Sequence, residues 1–254
     1  MPVLSRSLSV MLDGEPFSFS GRMHLRGEDE LSLFPALFTL ELWNLPEENY
    51  LRVFRCREIA VSCGESCLVS GTVSDVFRHP AGDGILTTVA ISLGLNLWEA
   101  TVSLTVPAGT SLLDVVRQIL SASGTGICLL ADLENDSRLV RSQSFFGRVP
   151  ECIDSVLSAV FARAMLTPSG LMIVSPGGLP NPVRIGENDL TDAPAFVNGG
   201  KLAVISCTVS GWRPGQTAEV RWKDIFFRGI VSERSVDADT GSGPWKCEMI
   251  LEVL

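Results

Sequence analysis

The sequence predicts a mainly β, α+β chain in which two related β modules flank a small α+β middle region. Three observations lead there. Apolar residues alternate through residues 59–93, the same pattern returns in diverged form over residues 218–254, and a helical period occupies the stretch between.

In the first copy Ile59, Val61 and Cys63 alternate with Ala60 and Ser62, and Gly64-Glu65 turns the chain into Leu68-Val69-Ser70-Gly71-Thr72-Val73-Ser74. Period-two patterning marks a half-buried strand. A polar loop from His79 to Gly84 leads to Thr87-Thr88-Val89-Ala90-Ile91-Ser92-Leu93, rich in β-branched residues, which completes a meander. At the far end Ala218, Val220 and Trp222 alternate, Lys223-Asp224 turns, and Gly71-x-Val73-Ser74 returns as Gly229-x-Val231-Ser232 at an offset of 158. Met249, Leu251 and Val253 overlie Val89, Ile91 and Leu93 at an offset of 160, so the second loop is two residues longer. A loop absorbs such an insertion at little entropic cost.

The remaining elements follow in order. Leu8, Val10 and Leu12 alternate before a turn at Asp13-Gly14, residues 26–30 read as a charged tip, and residues 37–43 form a strand ending at Asn44-Leu45-Pro46. A helical turn over residues 47–54 precedes the meander, and some five strands make a closed or nearly closed sheet up to Gly94. After a strand at 100–106, Ser111 and Asp114 suit a capping box. Leu112, Val115, Val116, Ile119 and Leu120 then line one helical face until Gly124 and Gly126 stop it. A strand is expected at 127–133. A second helix opens at Pro150 with Ile153, Val156, Leu157, Val160 and Phe161 on one face, and a short strand follows at 171–174. Residues 176–200, dense in Pro, Gly and Asn, read as an extended connector before strands resume at Leu202. The expected divisions are a first β domain at 1–95, a middle domain at 96–190 and a second β module at 191–254.

Composition narrows function. A chain of 254 residues with 46% apolar residues builds its own core. A formal charge of −9 argues against a protein that grips nucleic acid, which needs clustered Lys and Arg. The seven cysteines are odd in number and scattered, as suits reduced thiols of a protein folded in the cytoplasm. The amino terminus carries no secretion-signal pattern. The longest uncharged run, residues 164–183, contains Pro168, Pro176, Pro180 and Pro182 and is no spanning helix.

Candidate chemistry is sparse. Asp239-Thr240-Gly241-Ser242 matches the aspartic-protease signature, but it lies in a polar stretch rather than after an apolar strand, and the first module holds no second copy. A hairpin turn is the expectation there, as it is for the calcium-like spacing Asp237-x-Asp239-x-Gly241. Cys63 and Cys67 would make half a zinc site with no second half, and His24 and His79 have no sequence partners. No catalytic, cofactor-binding or metal-binding residue is assigned, and no enzymatic activity is expected.

Phe38-Thr39-Leu40-Glu41-Leu42-Trp43-Asn44-Leu45, Gly71-Thr72-Val73-Ser74, Ser111-Leu112-Leu113-Asp114-Val115-Val116 and Arg213-Pro214-Gly215-Gln216, in that order, resemble the baseplate hub proteins of bacteriophage tails and their relatives in contractile injection systems. The resemblance implies two tube-type β-barrel modules flanking the middle domain, and a homotrimeric ring joining a sixfold tail tube to a threefold spike or tip. It implies a structural protein of the virion tail whose partners are the tail tube or distal tail protein, the spike or tip protein and the tape measure protein. DNA would pass through the lumen without sequence-specific binding, no stable membrane association is expected, and assembly would occur in the host cytoplasm. A receptor- or carbohydrate-binding β protein is the alternative, although Trp43, Trp98, Trp212, Trp222 and Trp245 are scattered as core and interface anchors are. A peptidoglycan hydrolase would need a convergent acid and base.

Overall fold

Alternating apolar residues along the first ninety positions build seven strands and one helix in the computed structural model, which describes residues 6–82, 84–130 and 137–254. The strands are β1 (Ser9–Leu12), β2 (Glu15–Phe17), β3 (Met23–Glu30), β4 (Ala36–Trp43), β5 (Glu58–Cys63), β6 (Ser66–Ala81) and β7 (Gly84–Leu93), with α1 (Glu47–Arg55) between β4 and β5. Residues 26–30 are not a tip but the outer half of β3. Arg26, Glu28 and Glu30 alternate with Leu25 and Gly27, so a strand with one solvated face was hidden behind its charges.

The middle stretch supplies α2 (Leu95–Glu99), β8 (Thr101–Val106), α3 (Leu112–Ser123), β9 (Gln143–Arg148), α4 (Val149–Leu157), β10 (Arg163–Thr167) and β11 (Gly170–Val174). Ser111 caps α3 by accepting from the Asp114 amide, and Gly124 closes the helix in the left-handed region, as the sequence led one to expect. Two expectations fail here. Residues 127–130 form no strand beyond a single bridge from Leu129 to Leu171, and the rest of that expected strand lies outside the described residues. Helix α4 stops at Leu157, and Phe161 sits at φ 55° and 84% exposed rather than on the buried face. The strand that pairs with β11 is β10, in register from Arg163 opposite Val174 to Thr167 opposite Gly170.

The connector expected at 176–200 is also structured. It contains β12 (Leu179–Ile185), which pairs with β15, and β13 (Ala195–Phe196), which pairs with β14. Prolines hid β12, since proline lacks a ladder donor and is confined to edge strands. The chain ends in β14 (Leu202–Ser206), β15 (Gln216–Trp222), β16 (Ile225–Asp239) and β17 (Trp245–Val253).

One compact unit gathers the described residues of Met1–Asp29, Ala36–Leu93 and Pro182–Leu254, and a second gathers Glu30–Pro35 and Gly94–Asn181. In the first unit the β modules do not stand as two separate sheets. A 13-stranded sheet runs β13-β14-β17-β16-β3-β4-β7-β6-β5-β1-β2, with β15 and β12 branching from β16, so β16 of the second module joins β3 of the first. One core lies beneath both modules, from Leu25, Leu40, Val61 and Ile91 to Val204, Val220, Val231 and Leu251. In the second unit α3 and α4 bury Leu112, Val116, Ile119, Ile153, Val156 and Leu157.

Candidate functional site

The duplication read from the sequence holds at the level of individual backbone positions. Thr72 pairs with Ser92 and Val73 with Ile91 before a register shift to Asp75 opposite Ala90. Ile230 pairs with Glu252 and Val231 with Leu251 before a register shift to Glu233 opposite Ile250. Each bulge leaves out one serine, and each serine reaches the same carbonyl: Ser74 Oγ donates to Ala90 at 3.1 Å and Ser232 Oγ to Ile250 at 3.1 Å. Bulges bend and re-aim a strand, so sharing one position means sharing curvature. The glycines before them are sterically required: a Cβ on Gly71 would lie 2.5 Å from the Ser92 carbonyl oxygen, and one on Gly229 2.7 Å from that of Glu252.

The two copies meet where β3 lies along β16. Thr240 N donates to Met23 O at 2.9 Å, and Met23 N donates to Thr240 Oγ1 at 2.9 Å. Arg22 forks onto Asp239, with Nε donating to Oδ1 at 3.0 Å, while its guanidinium stacks on Trp43. The Asp239 carboxylate is buried and also accepts from Gly241 N, and Arg22 holds it below the usual carboxylate range. Further along, Arg234 donates to both oxygens of Asp29 at 2.8 and 2.7 Å and to Leu68 O, in a pair that is almost wholly buried. His24 lies between the modules, Nε2 2.6 Å from Asp237 and Nδ1 3.2 Å from Glu41.

Residues of the protease-like and calcium-like motifs take part in this junction. Asp239, Thr240 and Gly241 end β16 and clamp β3, and the oxygens of Asp239 are occupied by Arg22 and a backbone amide. Asp237 faces His24. His79 lies on the exposed half of β6 and does not join His24, and Cys63 and Cys67 flank the β5–β6 turn as free thiols. No group of three His, Cys, Asp or Glu converges among the described residues.

Away from the core, the joined sheet presents a face on which charged and polar residues surround the exposed Leu37 and Phe77. Register aligns His24 with Glu41 and Thr88, Arg26 with Thr39 and Ala90, Asp237 with Lys246, and Ser235 with Glu248. Glu28, Glu41, Glu233, Asp237, Glu248 and Glu252 supply the carboxylates of this face. Arg26 pairs with Glu41, Lys201 with Glu233 and Lys246 with Glu248. Sequence reading gave the acidity of the chain but not its location, because the face is assembled from five separated strands.

This mainly β fold, with its two register-matched modules joined edge to edge, is shared with solved tail proteins and with a type VI secretion system component. No established family profile matches the chain, and no curated protein does. Among solved structures, the tail protein from Neisseria meningitidis MC58 superposes with a TM-score of 0.69 at 12% identity, covering 96% of this chain and 95% of that one. The 43 kDa tail protein of prophage MuSo2 from Shewanella oneidensis gives 0.68 at 10% identity, with 97% of both chains covered. The E. coli c3393 protein is described as a component of the type VI secretion system with structural similarity to the T4 bacteriophage tail proteins gp27 and gp5. It gives 0.69 at 10% identity over 96% of this chain and 76% of that one.

Proposed function

We infer that the protein is a structural component at the hub of a phage tail or related injection device. Three copies close into a ring, so that six modules of one curvature surround a channel. The observation that carries this reading is the repeated bulge, with Ser74 and Ser232 reaching equivalent carbonyls at equal distances. Two modules bent alike at one position can occupy alternate places around one axis, which lets three subunits meet a sixfold tube on one side and a threefold spike or tip on the other.

In this reading residues 1–95 and 191–254 are the tube-type modules and residues 96–190 a middle domain on the ring. The acidic sheet face lines the lumen, where it repels the DNA that passes. The tail tube or distal tail protein, the spike or tip protein and the tape measure protein are the partners. The place of work is the virion tail, after assembly in the host cytoplasm. No helix among the described residues is long and apolar enough to cross a membrane. Negative-stain microscopy of the purified chain tests the proposal: rings with threefold symmetry are the expected particles, and a population of single 27.4 kDa chains at every concentration would overturn it.

A further inference from the structure

The two modules differ in one respect that their shared geometry makes informative. In the second module, β15 covers the first half of β16 and β3 covers the rest. In the first module, β5 covers β6 only as far as Thr72, and residues 74–81 have β7 on one side and no strand on the other among the described residues. Exposure follows at equivalent positions: Ser232, Arg234, Val236 and Ala238 are buried, whereas Ser74 and Pro80 are exposed and Val76 and Arg78 only half-buried. At one end of the sheet, β13 is the terminal strand, paired among the described residues with β14 alone.

Register makes β13 the counterpart of β3. Arg26 leads through Thr39 to Ala90, and Ala195 leads through Ala203 to Ile250, where Ala90 and Ile250 are equivalent. By the same route Phe196 corresponds to Gly27, and His79 corresponds to Asp237 because Leu86 corresponds to Lys246. We propose that the free half of β6, residues 74–81, seats β13 of a second copy of this chain, repeating between subunits the β3–β16 junction found within one. This rests on the ring reading above and names the surface that closes the ring.

Two local features fit that occupant. On the core side of this edge Arg78 stacks on Tyr50, which contacts the exposed Phe54, while the β13 edge carries Phe196, 64% exposed and edge-on to Phe227. Aromatic anchors on both partners are what an interface core requires. The edge is also guarded against indiscriminate pairing: the Val76 amide is taken by the Asp75 carboxylate, and Pro80 has no amide to give. Docking must therefore use carbonyls and side chains, as the Arg22–Asp239 and Arg234–Asp29 forks do in the intrachain junction.

Counting along the junction from Met23 opposite Thr240 and Asp29 opposite Arg234 places Arg26 opposite Asp237, hence Ala195 of one subunit opposite His79 of the next. The test combines light scattering with crosslinking. Wild type is expected at three times 27.4 kDa, and Phe196→Glu at one times that mass with an unchanged far-ultraviolet spectrum. Phe146→Glu, exposed in the second unit, should keep the trimer. The double variant His79→Cys/Ala195→Cys should give a covalent trimer on oxidation that neither single variant nor wild type, with its native thiols, gives. A wild-type monomer overturns the ring reading and this surface with it. A wild-type trimer that persists in Phe196→Glu, or that the cysteine pair fails to crosslink, overturns the surface alone.

Discussion

Asp239 shows how a residue with a catalytic look can be structural. Its carboxylate is buried under the Arg22 fork and held below the ordinary range, chiefly by the guanidinium. A carboxylate depressed in the folded state lends stability that is fully present above its unfolded pKa of about 4 and is lost as pH falls through the lower folded value. Asp239→Asn is expected to cost about 2 kcal/mol in urea unfolding at neutral pH, less than a fully buried pair because Arg22 is partly exposed. The variant's deficit should shrink as the wild type is taken into acid. Thiol reactivity offers a second check at this scale. Burial raises the Cys247 thiol to about 12 and the Cys56 thiol to about 11, while Cys128 is exposed. A thiol reagent at mildly alkaline pH should label Cys128 in the native protein and Cys247 only at the rate of unfolding.

At the scale of the strand, the repeated bulge predicts unequal costs for equal changes. Ser232→Ala removes a buried hydrogen bond and should cost about 1 kcal/mol, whereas Ser74→Ala, at an exposed copy of the site, should lie near zero in the same thermal melts. Gly71→Ala and Gly229→Ala both drive a methyl into a carbonyl of the neighbouring strand and should each cost about 2 kcal/mol or more. The strands that carry these features were legible because the core takes every second residue. Those that were missed break that rule for physical reasons: β3 shows its charges to solvent, and β12 contains prolines at a sheet edge. The end of α4 was misplaced because Val160 and Phe161 keep the apolar period after the backbone has left the helix. The junction left no local trace at all, since Arg22 and Asp239 are 217 positions apart and a pairing over that distance has no period.

For the molecule as a whole, charge is the property that the proposed channel depends on. Replacing Glu28 and Glu233 with Lys should leave the ring intact and make it retain linear DNA in a gel shift at low salt, where the wild type releases it. The fused sheet has a further consequence, for synthesis. β3 leaves the ribosome about 200 residues before β16, which at roughly 5–20 residues per second is a wait of some 10–40 s. During that wait the acidic outer half of β3 has no neighbour on one side, and its charges keep foreign strands from taking the place. The nascent β3 edge is thus held open until β16 arrives, and the sheet that joins the two modules closes only after the whole middle region has been made.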